Sequence, residues 1–315
     1  MTTCALDLPT RAQIEDAARR LAPLVRRTPV VEVDPADLGL AGRAPVLLKL
    51  ETVQHAGSFK ARGAHLQLLA GDLPAAGVAA ASGGNYGVAV AYAARRLGVT
   101  ARVFVPDSTA PAKLDRLLGL GARVEVIPGL YDDALAASRD WARSSGARFL
   151  HAFDQPEMLI GAGTLARELV GQAEVDRVVV AVGGGGLSGG AATWLRGEVA
   201  LTGVETAGCR AMDAALAAGE PVDVEVSGLC ADALGARRVG DLTFAAASRW
   251  LDGVVVVTDD DVRDAQRRLW SAVRVATEPA GAAALAALTT GAVADPDERV
   301  AVVLCGANVD PTTLG

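Results

Sequence analysis

Lysine is nearly absent from this chain. Of its 30 basic residues only Lys49, Lys60 and Lys113 are lysines, and the rest are arginines. Aromatic residues make up 4% of the 315, and the three histidines, His55, His65 and His151, are too dispersed to form a metal-binding pair on one helix face. The four cysteines, Cys4, Cys209, Cys230 and Cys305, form no Cys-x-x-Cys, so neither a zinc knuckle nor a disulfide framework is expected. No apolar run approaches the roughly 20 residues of a bilayer span, and the N-terminus lacks the basic start and apolar stretch of a secretory signal. A cytoplasmic chain without a membrane segment is expected. Thirty basic against 37 acidic residues give a net charge of −7, with no basic tail or stripe, so nucleic acid is not an expected partner.

What is present is a hydrophobic fraction of 51%, enough for a sizeable core. Residues 10–25 read as a helix, with Ile14, Ala17, Ala18, Leu21 and Leu24 at helical spacing and Thr10 with Gln13 matching a capping box. Beyond it, short apolar runs at 46–50, 78–81, 102–105, 123–127, 148–152, 177–182, 254–258 and 300–304 read as buried strands. Alanine-rich helical segments lie between them at 59–69, 85–97, 109–118, 132–143, 155–169, 187–195, 259–269 and 278–287, with Thr258 and Asp261 as one helix-entry signal. Strand–helix alternation predicts parallel sheets in an α/β fold and leaves both open doubly wound sheets and a closed barrel in play.

Four segments carry candidate chemistry. In Gly57-Ser58-Phe59-Lys60-Ala61-Arg62-Gly63-Ala64, a lysine opens a helix. A cation is electrostatically misplaced at a helix N-terminus, which lowers its pKa and suits an imine-forming amine; a solvated first-turn lysine is the plainer alternative. Ser82-Gly83-Gly84-Asn85-Tyr86-Gly87 follows a strand and opens a helix, where backbone amides can receive a carboxylate or phosphate, or simply make a turn. Gly183-Gly184-Gly185-Gly186-Leu187 follows another strand. Four glycines are costly to order, so a ligand is expected to approach that backbone, and without a Gly-Lys-Ser/Thr ending a single phosphate is the better guest than a nucleotide; a mobile loop is the alternative. Cys305, in Leu304-Cys305-Gly306-Ala307-Asn308, ends the last strand, where ligands of open α/β sheets bind, though a structural cysteine would read the same way.

In this order and spacing the four segments resemble the fold-type II pyridoxal-phosphate enzymes, and within them the serine/threonine dehydratase (ammonia-lyase) group, over nearly the whole chain. The segment 57–64 is similar to the cofactor-lysine motif, with Ala61 where threonine and cysteine synthases typically carry aspartate. The segment 82–87 resembles the asparagine loop and 183–187 the phosphate cradle. Glu278-Pro279-Ala280-Gly281-Ala282 and 305–308 match late motifs of the group.

The resemblance implies a two-lobed α/β fold of the tryptophan synthase beta type, each lobe a mainly parallel sheet flanked by helices. Residues 1–75 and 146–315 would form a large cofactor-binding domain, and 76–145 a small domain carrying the asparagine loop. It implies pyridoxal 5'-phosphate bound to Lys60, which also serves as the base at Cα. Phe59 and Ala233 would cover the two ring faces, Asn85 would lie near the ring hydroxyl, and Gly183, Gly184, Gly185, Gly186 and Leu187 would hold the phosphate. Glu278 completes the implied cofactor set, and Cys305 would face the pyridine nitrogen. Ser82, Gly83, Gly84, Asn85 and Tyr86 would bind substrate, with the carboxylate gripped by Ser82, Gly84 and Asn85, and with Tyr86 and His55-Ala56 departing from common family residues.

A thiol at the ring nitrogen is a weak partner that favours prompt elimination over transamination. Gly83 stands where racemases of the family carry a serine base, so racemisation is not expected. Glu205 is followed by Cys209 and Ala211 where members with a divalent-ion site would carry a carbonyl donor and an acid, so magnesium dependence is not expected and no metal-ligating residue is assigned, while a monovalent ion stays open. The short stretch after Asn308 gives no expectation of an allosteric domain or feedback inhibition. The implied function is β-elimination of a β-hydroxy amino acid such as serine or threonine to a 2-oxo acid and ammonia, by an enzyme that relatives suggest is a homodimer. A β-replacement synthase and a non-catalytic pyridoxal-phosphate-binding protein are the alternatives, with a nucleotide-binding oxidoreductase a poorer third.

Overall fold

A computed structural model describes residues 6–293 and 295–309. The ten strands are β1 (Val30–Val33), β2 (Val46–Leu50), β3 (Val78–Ala81), β4 (Ala101–Pro106), β5 (Arg123–Ile127), β6 (Arg148–Leu150), β7 (Arg177–Ala181), β8 (Ala200–Thr206), β9 (Gly253–Val257) and β10 (Val300–Leu304). They form two open sheets. One has the order β1-β2-β10-β7-β8-β9 and is parallel except for β1, which pairs antiparallel with β2 at an edge. The other, β5-β4-β3-β6, is wholly parallel. Helices flank both sheets and the closed barrel is excluded. Among the described residues no helix is long and apolar enough to cross a membrane.

Central strands are covered by helices on both faces, which is why they read as continuous apolar runs. Every residue of β2, β3 and β10 is buried. Lys49 in β2 is fully buried, and its ammonium donates to the Thr28 carbonyl at 2.8 Å, Glu168 Oε1 at 2.6 Å and Gln172 Oε1 at 2.7 Å. Arg62 joins this cluster through Glu51 and Glu168. One of the three lysines is thus accounted for by structure. Both capping boxes form, at Thr10 with Gln13 and at Thr258 with Asp261. Cys209, Cys230 and Cys305 are free thiols, while Cys4 lies outside the described residues.

Helix contacts set the spacing of the site. A side chain on Gly161, in the helix Pro156–Val170, would lie 2.5 Å from the Gly63 Cα of the helix Lys60–Leu68. A side chain on Gly190, in the helix Gly186–Leu195, would lie 2.4 Å from the Leu159 carbonyl. Backbone-to-backbone contact through these glycines fixes the lysine helix and the cradle helix against one common neighbour.

The elements depart from the sequence reading in definite places. β1 and β8 were not among the expected strands: β1 is a four-residue edge carrying exposed Glu32, and β8 interrupts its apolar residues with Thr202, Gly203 and Glu205. The helices Ala211–Ala218, Ala231–Leu234 and Asp241–Trp250 were likewise unexpected. The strand expected over 148–152 stops at Leu150, because the His151 amide turns to the side-chain oxygen of Gln155 at 2.9 Å instead of continuing the ladder.

Candidate active site

A cavity of about 410 Å³ opens where the carboxyl ends of β3, β7 and β10 face the start of the lysine helix. The residues implied to bind cofactor and substrate line it: Phe59 and Lys60, the five residues Ser82 to Tyr86, the five residues Gly183 to Leu187, and Ala233, Glu278 and Cys305, whereas His55 and Ala56 do not. The segments starting at Ser82, Gly183 and Cys305 meet here because they follow the ends of β3, β7 and β10.

Lys60 is the first residue of its helix, and its Nζ donates to the Ala152 carbonyl at 2.7 Å. The Phe59 ring centroid is 4.9 Å from that nitrogen. The amine is pulled down to about 8 from 10.5, and burial is the cause. From the sequence this direction is expected of the helix dipole; the structure assigns it to desolvation.

The loop before the lysine is sewn to the end of β10. Phe59 N donates to the Cys305 carbonyl at 3.0 Å, Ala307 N to the Gly57 carbonyl at 2.9 Å, and Asn308 Nδ2 to the Ala56 carbonyl at 2.9 Å. Ala56 adopts φ 61°, a left-handed conformation unusual for alanine, within this stitched loop. The Asn308 amide also donates to Asn85 Oδ1, while Asn85 Nδ2 donates to Glu278 Oε1. Burial raises Glu278 to about 7, partly opposed by the Asn85 bond. The loop before Lys60, the loop 82–85 and the last strand therefore share one hydrogen-bonded chain.

The Cys305 thiol is pushed well above its ordinary range, first by burial and then by Glu278, and its Sγ lies 3.5 Å from the Ala280 carbonyl. It stays a neutral thiol at any physiological pH.

The glycine run is a packed wall. Gly185 has φ 90°, and side chains on Gly184 and Gly185 would lie 2.4 Å from the Phe153 ring and 2.7 Å from Thr243. Thr243 Oγ1 donates to the Gly184 carbonyl at 2.8 Å, locking the turn. The helix Gly186–Leu195 begins without a side-chain cap, so its first amides are free to receive an anion from the cavity. A buried amine of lowered pKa, an uncapped helix start and a glycine wall on one cavity fit a phosphorylated carbonyl cofactor.

Four features had no signature in the sequence reading. The Ala152 carbonyl holds Lys60, and Phe153 backs the glycine wall. An ion pair between Lys113, on the helix Pro111–Gly119, and Asp232, on the helix Ala231–Leu234, spans the cavity mouth. Gln67 accepts from the hydroxyl of Tyr86 at 2.8 Å. Away from the cavity, Glu205 receives the amides of Met212 at 2.8 Å and Asp213 at 2.9 Å, so its carboxylate caps the helix Ala211–Ala218. Among the described residues no three His, Cys, Asp or Glu side chains are grouped to hold a metal.

A sequence profile of the pyridoxal-phosphate dependent enzymes matches residues 21–306. The biosynthetic L-threonine dehydratase of Haemophilus influenzae is 38% identical over 277 residues, covering 85% of this chain and 54% of that protein. The Mycobacterium leprae biosynthetic L-threonine dehydratase is 40% identical over 314 residues, covering 96% of this chain and 73% of its own. The chain thus spans about half the length of the first of these relatives. Among solved structures, a T.th. threonine deaminase matches with a TM-score of 0.89 at 34% identity, covering 96% of this chain and 99% of that one. Maize serine racemase matches at 0.91 with 29% identity, covering 98% and 96%.

Proposed function

The chain belongs to the pyridoxal-phosphate dependent enzymes of fold type II, in the serine/threonine dehydratase group, and from that premise we propose that it is an ammonia-lyase converting a small β-hydroxy amino acid such as serine or threonine to a 2-oxo acid and ammonia, the water lost at the β-carbon being regained when the released enamine hydrolyses. The observation that carries this reading is Lys60, a buried amine lowered to about 8, set between the asparagine loop and the glycine wall.

Lys60 would hold the cofactor covalently, the amides of Gly183 to Leu187 its phosphate, and Phe59 and Ala233 its ring faces. Cys305 would face its nitrogen. When bound, pyridoxal phosphate supplies an electron sink for the pair left at Cα when the α-proton departs. The chain's own contribution begins with orientation: Ser82, Gly84 and Asn85 bind the substrate carboxylate and turn the Cα hydrogen toward Lys60. Lys60 would be free to act as a base once the substrate amine has displaced it from the cofactor; with its pKa lowered to about 8, the free amine is neutral in a useful fraction at physiological pH and can accept that proton at Nζ. Because Cys305 keeps its proton, it offers the ring nitrogen no anionic partner, which favours rapid loss of the β-hydroxyl over a long-lived carbanion.

Gly83 supports elimination over racemisation. A side chain there would lie 2.9 Å from the Thr109 methyl, so no second base fits at that position without displacing its neighbour. The same reading takes 1–75 with 146–315 and 76–145 as the two domains, and the enzyme as a cytoplasmic homodimer, a mass that light scattering measures.

The test is 2-oxo acid release from a panel of β-hydroxy amino acids by the cofactor-loaded protein beside Lys60→Ala. Release confined to the wild type is expected. Equal release by both proteins, or release by neither, refutes the assignment.

A further inference from the structure

We propose that Gln67 is a positioning residue that aligns the asparagine loop with the carbonyl holding Lys60. The proposal rests on the reading of Lys60 as the reacting amine. Lys60 and Gln67 lie on one helix seven residues apart, about two turns and therefore on nearly the same face. Gln67 is 1% exposed and Tyr86 2%. The Gln67 Nε2 donates to the His151 carbonyl at 2.9 Å and to Gln155 Oε1 at 2.6 Å, while its Oε1 accepts from the Tyr86 hydroxyl at 2.8 Å.

Hydrogen-bond chemistry fixes the orientation of that amide. A main-chain carbonyl can only accept, so Nε2 faces His151 and Oε1 faces Tyr86, which must donate. The Tyr86 proton is therefore committed to Gln67 and is not offered to a substrate. Tyr86 directly follows Asn85, so this bond anchors the first turn of the asparagine-loop helix Asn85–Leu97.

On the other side of Gln67, the segment from His151 to Gln155 is a built turn. The His151 Nδ1 accepts from Asp154 N at 3.0 Å, consistent with a ring that burial holds neutral at about 4. Between these fixed points Ala152 presents its carbonyl to Lys60, and Phe153 backs the glycine wall. Among the described residues, Gln67 hydrogen-bonds with its side chain to both the asparagine-loop helix and this turn.

The test compares Gln67→Met, close in size but unable to donate, with Tyr86→Phe, which removes one oxygen, and with the double variant. Misplacement of reacting groups by ~1 Å costs up to about a hundredfold in rate, so a fall in kcat of about tenfold or more is expected in each single variant, with KM held within about twofold. Two residues acting as one unit predict a double variant no worse than the poorer single. A second readout needs no turnover: capture of pyridoxal phosphate by Lys60 in the cofactor-free protein, followed by absorbance, slows in parallel. Final cofactor content stays near wild type, as does the thermal midpoint of Tyr86→Phe, which loses a single bond. Unchanged kcat and capture in Tyr86→Phe, additive losses, or losses that track a fallen midpoint or cofactor content overturn the proposal. Should Gln67→Met fail to fold, Tyr86→Phe alone decides. If the wild type turns over no amino acid while capture slows in the variants, the lyase reading fails and the positioning role stands.

Discussion

Replacing Lys60 with methionine is expected to stabilise the cofactor-free protein at neutral pH. Burial lowers this amine from 10.5 to about 8. A pKa difference of one between folded and unfolded chains corresponds to about 1.4 kcal/mol, so keeping the ammonium buried costs the fold about 3 kcal/mol wherever both states carry the proton. Methionine is similar in length and uncharged, but it gives up the bond to the Ala152 carbonyl, worth about 1 kcal/mol. The net expectation below pH 8 is a variant more stable by about 2 kcal/mol. Between pH 8 and 10.5 the native lysine has lost its proton while the unfolded chain retains it. The unfolded state then binds more protons, wild-type stability rises with pH, and the advantage of the variant shrinks. Above 10.5 only the lost hydrogen bond remains and the order reverses. Urea unfolding of both cofactor-free proteins, followed by circular dichroism across this window, gives the difference at each pH, in which other titrating groups cancel. A difference that stays flat with pH, or a variant already weaker at neutral pH, refutes the reasoning.

The glycine wall, the buried charge cluster and a helix cap give three further outcomes. Gly184→Ala places a methyl 2.4 Å from the Phe153 ring, an overpacking of about 1–3 kcal/mol; absorbance titration is expected to show pyridoxal phosphate bound about tenfold more weakly or worse. Arg62→Leu strips Glu51, which is fully buried, of its guanidinium partner and is expected to cost about 3–5 kcal/mol in urea unfolding. Thr258→Ala removes one capping box far from the cavity, and should lower stability by about 1 kcal/mol while leaving 2-oxo acid release unchanged.

Much of the site was legible because its pieces are local. A glycine run after a strand, or a lysine at a helix start, is a short pattern with its own physical oddity, and each such segment lies on the cavity. The fold was legible for a related reason: parallel strands buried on both faces leave continuous apolar runs, as β2, β3 and β10 do. Where the apolar run is broken, by buried polar residues or at an exposed edge, the signal fails. β8 carries Thr202, Gly203 and Glu205 within its length, and β1 exposes Glu32 at a sheet edge. The direction of the Lys60 shift was readable from its place in the helix, but its cause was not, since desolvation depends on what packs around the amine.

The features that escaped are those made by pairs with no local pattern. Lys113 and Asp232 are 119 residues apart, and a lone lysine beside a lone aspartate in an exposed pair is worth little energy and leaves little trace. Tyr86 stood out in the sequence, but its partner Gln67 is an ordinary helical residue until the fold sets one against the other. Glu205 was visible as an acid, yet its role as a cap requires knowing that a helix starts at Ala211. The acceptor that holds the Lys60 amine is the extreme case. Ala152 contributes a main-chain carbonyl, a group every residue type carries, so the identity of the residue at that position conveys nothing about its place beside Lys60.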